Sequence, residues 1–391
     1  MDPAFTPFEF ARALAARAAA ASSLSMPPAS APSAPPPTVT APPPQVLIVA
    51  NRLPVTLSVG PGGSYTFTQS SGGLVSALSA VRSESGKNYP WIGWLGRSVP
   101  PEDEAAIRAR LLEEHNCVPV FLEDALASQF YDGMCNDLLW PMLHHGWDPC
   151  GAVPFAWPLW EAYKRVNERF AEVILETAQG APSACWLHDY HLMHLPTLLS
   201  PTMSCSFFLH TPWPSPDIYS CLPVSRDLME SLLKCDLLGF HTPAYASHFV
   251  AAAARVPGAQ PLPDAVTLHG HSSTIGVFPI GIEAAPFEEL VVSPACLERQ
   301  AELVKGLPRG GKTVVSVDRL DPIKGIPHRC VRRARRGAAV HTFPHPGACA
   351  LPRPRTHPPT PQPVGPRGPV PPLVRRWRCE GAQPQRYRGG T

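Results

Sequence analysis

Charged side chains are scarce in this sequence, and two common features are missing from it. Asp, Glu, Lys and Arg make up 16% of the 391 residues, against about a quarter in a typical domain. No run of about 18 apolar residues occurs, so the sequence predicts no membrane-spanning helix. The 11 cysteines form no Cys-x-x-Cys pair and are odd in number. They predict neither a disulfide framework nor a zinc ribbon, and we expect a reducing, cytoplasmic compartment.

Proline and charge are concentrated at the two ends of the chain. Of the 51 prolines, 24 lie in residues 1–44 and 328–391. The last 64 residues contain 13 arginines, one acid and no lysine, so they carry +12 and the rest of the chain carries −10. This composition predicts a disordered Ala/Pro/Ser-rich leader over 1–44 and an Arg/Pro-rich low-complexity tail over 328–391. An organelle transit peptide is the alternative for the leader, against which stand Asp2 and Glu9.

The middle of the chain alternates short apolar strands with amphipathic helices. Strands are predicted at 46–50, 185–187, 205–209, 237–240 and 275–278, a hairpin at 58–68, and helices at 101–116 and 160–178. This alternation predicts an α/β fold with a Rossmann-like, doubly wound domain over 45–290. A helix at 297–307 and a strand at 312–317 predict the start of a second such domain over 291–327, which then stops.

Three polar or aromatic features on the first half of this pattern are candidates for ligand binding. Arg52 follows the first strand and has a planar fork that suits a phosphate, although for Arg52 taken alone a surface ion pair is the favoured explanation. Gly72 and Gly73 open a predicted helix, where backbone N–H groups favour an anion. Tyr131 and Trp140 flank a predicted polar loop and suit a sugar ring, the alternative being that Trp140 is a core residue.

Further candidates follow the central strands and the last predicted strand. Asp189 and His210 each follow a strand, and adjacent parallel strands would bring both side chains into one crevice. Histidines 188, 191 and 194 are spaced by three, without the glutamate of a helical zinc motif, so no metal site is expected. Arg319 and Lys324 lie in one loop and could clamp a diphosphate, or form a charged surface turn.

These motifs, taken in order, resemble those of the trehalose-6-phosphate synthase family of glycosyltransferases. The resemblance runs from about residue 46 to residue 327. It rests on Asn51-Arg52-Leu53-Pro54, Ser71-Gly72-Gly73-Leu74, Tyr131 to Trp140-Pro141, His188-Asp189-Tyr190-His191-Leu192, His210-Thr211-Pro212-Trp213-Pro214, Leu237-Leu238-Gly239-Phe240-His241, Pro279-Ile280-Gly281-Ile282 and Arg319-Leu320-Asp321 with Lys324-Gly325.

The resemblance implies a GT-B fold and transfer of glucose from UDP-glucose to glucose 6-phosphate with retention of configuration and no essential metal. It implies contacts to the sugars at the reacting centre by Asp189 and His210. It implies that the acceptor is bound by Arg52, Tyr131 and Trp140, and that the donor is bound by Gly72, Gly73, Arg319 and Lys324. It also implies, as partners, a second copy of the chain or subunits of a trehalose synthase complex.

The candidate side chains themselves favour a transferase over a glycosidase. Departure of a diphosphate needs fixed positive charge more than a strong base, and no pair of carboxylates flanking a glycosidic bond is evident. Pro322 departs from the family pattern, in which an aromatic residue is usual, and the family's remaining second domain is not matched beyond residue 327. We therefore expect impaired activity. We interpret the abrupt change to Arg/Pro-rich sequence after residue 327 as a reading-frame or splicing change. Two alternative functions stay open. One is a non-catalytic regulatory protein that binds sugar phosphate or synthase subunits, and the other, disfavoured because the body is acidic, is nucleic-acid binding through the tail.

Overall fold

A computed structural model describes residues 45–60, 62–70, 89–145, 155–179, 183–199, 203–282, 284–305, 318 and 322–325. The chain divides into two units, Met1–Ile326 and Pro327–Thr391, and all described residues belong to the first. Several predictions fall outside the described residues: those on Gly72, Gly73 and Arg319, on the whole of the leader and of the tail, on the helix after the Gly pair, and on the strand at 312–317.

A nine-stranded sheet organises the described residues. Its strands are β1 Gln45–Arg52, β4 Trp91–Trp94, β5 Cys117–Val120, β6 Ser183–His188, β7 Ser204–Phe208, β8 Leu237–Phe240, β9 Gln260–Pro261, β10 Ala265–Leu268 and β11 His271–Val277, while β2 Val55–Val59 and β3 Tyr65–Gln69 form a separate hairpin. The order across the sheet is β5-β4-β1-β6-β7-β8-β11-β10-β9. Its pairs are parallel from β5 to β11, and β10 and β9 add antiparallel strands at one edge. Both edge strands contain a proline, Pro119 in β5 and Pro261 in β9.

Helices connect the strands and cover the sheet. They are α1 Pro101–His115, α2 Asp124–Ala127, α3 Trp140–Leu143, α4 Trp157–Ala178, α5 Pro216–Ser220, α6 Ser225–Leu232, α7 Pro243–Ala253, α8 Ala285–Val291 and α9 Pro294–Lys305. A π-helix, Ser128–Leu139, joins α2 to α3, and short 3-10 turns lie at Tyr190–Leu192, Leu195–Thr197 and Pro322–Lys324. Helix α1 begins with a proline and three acids, as the helix dipole favours, and ends at Asn116 in the left-handed conformation.

The core lies on both faces of the sheet. Along β1, Leu47 and Val49 belong to one buried cluster, and Val46, Ile48 and Ala50 belong to the other. A strand whose successive side chains are all buried is covered on both faces, because side chains alternate across the sheet. The predicted α/β, doubly wound architecture is therefore confirmed.

One local prediction is wrong. Residues 131–141, predicted as a polar loop, are helical, with π-type turns through Leu139 and α3 after it. Phe130, Met134 and Leu138 recur every four residues and are buried in the core. Their burial outweighs the turn preference of Asp132 and Gly133, because tertiary packing routinely overrides local propensity.

Two further observations concern the apolar character of the helices and the state of the cysteines. Within the ranges that the structure describes, none of the helices has both the length and the apolar character needed to cross a membrane. The seven cysteines in those ranges are free thiols, and five of them are buried.

Candidate active site

The carboxyl ends of the central parallel strands bring most of the candidate residues to one edge of the sheet. Arg52 ends β1, Trp94 ends β4, and His188 ends β6 with Asp189 directly after it. His210 follows β7 by two residues. Because neighbouring parallel strands end at the same edge, these side chains belong to one region, which is where α/β sheets bind ligands.

Asp189 lies at the centre of this region in a strained backbone conformation. Its φ of 73° and ψ of 167° fall in a region that is essentially restricted to glycine. The conformation is held from two sides, since Asp189 N–H donates to the Phe208 carbonyl at 2.8 Å and Asp189 Oδ1 accepts from His210 N–H at 3.2 Å. Strain that the surrounding structure maintains is characteristic of functional sites. The expected juxtaposition of Asp189 and His210 is observed.

Burial controls the charge of both groups. Desolvation raises the pKa of Asp189 to about 6, while hydrogen bonds from the Tyr190 and His210 backbone N–H groups act in the opposite direction. Desolvation lowers the pKa of His210 to about 3, with the nearby His241 contributing. At neutral pH the site therefore holds a largely ionised carboxylate and a neutral imidazole, which can donate or accept a hydrogen bond but carries no positive charge.

A second histidine fixes the ring of His210. His188 Nδ1 lies 3.0 Å from His210 Nε2, and burial lowers the pKa of His188 well below its usual value, with His210 adding to the effect. Two neutral imidazoles joined in this way share one proton between the bonded nitrogens, so the tautomer of one ring sets that of the other. The His210 and His241 ring centroids are 5.5 Å apart.

Aromatic rings extend from Asp189 towards the helical segment 124–143. The Tyr131 and His191 rings stack at 5.8 Å with an interplanar angle of 12°. Tyr190 lies between His191, at 4.0 Å, and Trp140, at 5.8 Å between centroids. The π-helix thus places both predicted aromatic residues beside the turn that follows Asp189, and Trp140 is only partly buried, so its ring is not a pure core element. We call Tyr131, Trp140, Tyr190 and His191 the aromatic cluster.

Arg52 joins the other side of the aromatic cluster. Its guanidinium carbon lies 5.0 Å from the centroid of the Trp94 ring, and Trp94 lies 6.0 Å from Tyr131. Desolvation lowers the pKa of Arg52, but the guanidinium remains charged at neutral pH because its ordinary pKa lies far above neutrality. A cation, a row of ring faces and a hydrogen-bonding carboxylate therefore follow one another along the site.

Helix α4 supports the aromatic cluster through hydrogen bonds to the backbone of the turn that follows Asp189. The Tyr163 hydroxyl donates to the Tyr190 carbonyl at 2.7 Å and accepts from Met193 N–H at 2.9 Å. Asn167 Nδ2 donates to the His191 carbonyl at 3.2 Å. Both residues are fully buried, so these bonds form in a low dielectric, where leaving one unmade is costly.

Five members of this site are not predicted as binding residues from the sequence: Trp94, His188, Tyr190, His191 and His241. His188, Tyr190, His191 and His241 belong to the motifs that carry the family resemblance, and their signal in the sequence is a position at or just after the end of a strand. Trp94 gave no separate signal, because a tryptophan in a short apolar strand is typical of a core. Lys324 is exposed in the turn Pro322–Lys324, and Gly72, Gly73 and Arg319 lie outside the described residues. Among the described side chains, no group of three His, Cys, Asp or Glu residues is arranged as a metal site.

Comparison with known proteins supports the resemblance over most of the chain. The sequence signature of Glycosyltransferase family 20 matches residues 44–332. An alpha,alpha-trehalose-phosphate synthase [UDP-forming] of Schizosaccharomyces pombe is 40% identical over 292 residues, which are 73% of this chain and 56% of that protein. A synthase of the same name, numbered 2, from Aspergillus niger is 42% identical over 293 residues, 73% of this chain and 60% of its own length.

Solved structures give the same result for the fold. A trehalose-6-phosphate synthase, OtsA, superposes with a TM-score of 0.58 at 26% identity, covering 73% of this chain and 60% of OtsA. A UDP-forming synthase from Burkholderia xenovorans gives 0.58 at 25% identity, covering 75% and 60%.

The chain thus spans between half and two thirds of the length of these relatives. Its fold is of the GT-B type, with the mostly parallel sheet that these structures share. The family signature covers well over half of the residues, and the strand ends that bear the candidate side chains all lie inside it. This chain belongs to glycosyltransferase family 20.

Proposed function

We propose that this chain acts in the transfer of glucose from UDP-glucose to glucose 6-phosphate, giving trehalose 6-phosphate and UDP with retention of configuration. The observation that carries the proposal is the continuous series from Arg52 through Trp94 and the aromatic cluster to Asp189. A sugar phosphate has the matching sequence of groups: an anion, a ring with C–H faces, and hydroxyls.

The acceptor would bind with its phosphate at Arg52 and its ring along the aromatic cluster. A guanidinium presents two parallel N–H donors to a phosphate, and this geometry makes the contact both strong and directional. Tyr131 and Trp140 would contact the C–H faces of the sugar, as planar apolar surfaces with a polar edge do. In this proposal the acceptor's anomeric hydroxyl points towards Asp189 and His210.

At the reacting centre, the bond between the donor's anomeric carbon and the UDP oxygen breaks while the acceptor's anomeric oxygen bonds to that carbon from the same face. The acceptor hydroxyl proton passes to the departing diphosphate, so no base is consumed. The neutral His210 and the Asp189 carboxylate are suited to orienting sugar hydroxyls and to stabilising the positive charge that develops on the ring.

The donor would bind to a different set of residues. Backbone N–H groups at Gly72 and Gly73, together with Arg319 and Lys324, would hold the UDP diphosphate and neutralise its growing charge. With cationic side chains in that role, the reaction needs no metal ion in this proposal. A second copy of the chain or other synthase subunits, and a cytoplasmic location in keeping with the free thiols of the described cysteines, are further expectations.

A coupled assay of UDP release tests the proposal. The purified chain is supplied with UDP-glucose and glucose 6-phosphate, with each substrate omitted in turn, and Arg52→Ala serves as a variant with an impaired acceptor site. We expect slow UDP release that needs both substrates and yields trehalose 6-phosphate, in keeping with the impaired activity expected from the sequence. Release that is independent of glucose 6-phosphate would contradict the assigned acceptor.

The second candidate is a non-catalytic regulatory role in which the chain binds sugar phosphate, and it is favoured by Pro322, which stands where the family usually has an aromatic residue. Calorimetry separates the two. Binding of glucose 6-phosphate without UDP affinity or turnover supports the regulatory role, whereas affinity for both with turnover supports the transferase.

A further inference from the structure

A glycine lies where the guanidinium of Arg52 needs space. Gly96 follows β4 with φ of +85°, and a Cβ built at this position would overlap Cζ and both terminal nitrogens of Arg52. The side chain of Arg52 therefore occupies the volume in which any other residue at 96 would carry its own. The same guanidinium rests over the Trp94 ring, so it is bounded by the ring and the Gly96 backbone.

The backbone of Arg52 has no freedom to retreat from residue 96. Arg52 pairs with Trp94 in the parallel register of β1 and β4, and its carbonyl accepts from Trp91 Nε1 at 3.2 Å. Leu53 N–H donates to the Trp94 carbonyl at 3.1 Å. At Gly93 a Cβ would lie 2.8 Å from Leu53 N and 2.9 Å from Arg52 C, so the two strands are already in contact there.

We propose that Gly96 is a positioning residue for sugar-phosphate binding, because its missing side chain fixes the place of the Arg52 guanidinium over Trp94. The inference rests on the proposed function, in which Arg52 binds the acceptor phosphate. A methyl group at 96 displaces the far end of a flexible side chain and leaves the strand pairing in place. The protein then folds, but its phosphate-binding fork starts from the wrong position.

The simplest competing explanation is that residue 96 is glycine only because its φ is positive. Gly270 provides the matched control. It has φ of +83°, no atom lies within 4 Å of a Cβ built there, and it sits in the turn between β10 and β11, at the opposite side of the sheet. Alanine at either position carries the same backbone penalty, and only alanine at 96 meets Arg52.

The experiment compares wild type, Gly96→Ala and Gly270→Ala in the full chain, with glucose 6-phosphate, glucose and UDP as calorimetric probes. We expect the dissociation constant for glucose 6-phosphate to rise about tenfold or more in Gly96→Ala and to stay at the wild-type value in Gly270→Ala. UDP binding should be unchanged in both. Equal weakening by the two alanines, or no weakening by Gly96→Ala, overturns the proposal.

A double-mutant cycle with Arg52→Ala adds a readout that loss of fold does not produce. If residue 96 acts through Arg52, Gly96→Ala has no further effect on glucose 6-phosphate binding once Arg52 is alanine. Full additivity of the two losses contradicts the proposal. Should Gly96→Ala fold poorly, Gly96→Asn replaces it, because asparagine tolerates positive φ better while its side chain still reaches the guanidinium.

A measurement without ligand separates this inference from the proposed function. The NMR resonances of the Arg52 guanidinium carry a ring-current shift from Trp94, and we expect Gly96→Ala, but not Gly270→Ala, to reduce it. If wild type fails to bind glucose 6-phosphate, the proposed function fails, and the resonance still decides whether Gly96 positions Arg52. A shift that is identical in wild type and Gly96→Ala overturns the inference.

Discussion

Replacing Asp189 by asparagine should make the protein more stable at neutral pH. The carboxyl has a pKa of about 6 in the folded chain, against a reference value of 3.8. The folded state therefore resists loss of the proton, and each pKa unit corresponds to about 1.4 kcal/mol. The shift amounts to about 3 kcal/mol, which is an upper bound because Asp189 is partly exposed and solvent screens its charge.

The effect should depend on pH with a definite sign. Below about pH 3.8 the carboxyl is protonated in both the folded and the unfolded chain, and Asp189 imposes no penalty. As the pH rises through 6, the folded chain must ionise a desolvated group, and stability is lost relative to the asparagine variant. Asparagine keeps the oxygen that accepts from His210 N–H, so the replacement leaves that buried donor satisfied.

Thermal or denaturant unfolding between pH 4 and pH 7.5 tests this prediction. We expect Asp189→Asn to unfold up to about 6–12 °C above wild type at pH 7.5, from about 2–4 °C per kcal/mol in a domain of this size, and close to wild type at pH 4. The control is Asp217→Asn, whose carboxylate is 85% exposed and pairs with Arg255 at 2.6 Å, and which should change stability by less than about 1 kcal/mol. A difference between Asp189→Asn and wild type that is the same at both pH values would refute the reasoning.

The other predictions concern two contacts of the site and the proposed role of Lys324. Tyr163→Phe removes a buried hydroxyl that makes two hydrogen bonds and should lower the free energy of unfolding by about 1–3 kcal/mol; unchanged denaturant unfolding would contradict the support role. His188→Phe should alter the tautomer of His210 seen in its ring nitrogen NMR shifts, while His188→Asn, which keeps a polar group near the position of Nδ1, should preserve it; equal shifts in the two variants would argue against a proton shared with His188. Lys324→Ala should weaken UDP binding more than glucose 6-phosphate binding in calorimetry, and the reverse order would exclude a diphosphate contact.

Much of the sheet could be predicted from the sequence because its strands are buried on both faces. Residues 46–50 form a continuous apolar run, and only a doubly covered strand places such a run entirely in the core. The proximity of Asp189 and His210 followed from the same logic, since β6 and β7 are consecutive in the chain and adjacent in the sheet. Strand order of this kind is strongly constrained in α/β folds.

The unpredicted features depend on contacts between residues far apart in the chain. The helical course of residues 131–141 comes from packing of Phe130 and Met134 against the core, which a local preference for turns at Asp132-Gly133 conceals. The backbone strain at Asp189 is maintained by its N–H bond to the Phe208 carbonyl in β7 and by the bond that its side chain accepts from His210 N–H. The contact of Arg52 with Trp94 depends on the register of β1 against β4. The hydrophobic periodicity of a sequence does not specify which residues of two strands are paired.

The prolines of the edge strands limit how this protein can associate with others. A free sheet edge offers N–H and C=O groups to any extended segment, and this invites strand addition and aggregation. Here β5 is four residues long with Pro119 inside it, and β9 is two residues long and ends in Pro261. Neither proline has an N–H to give to an incoming strand. Among the described residues, addition of a partner strand at either border of the nine-stranded sheet is therefore disfavoured.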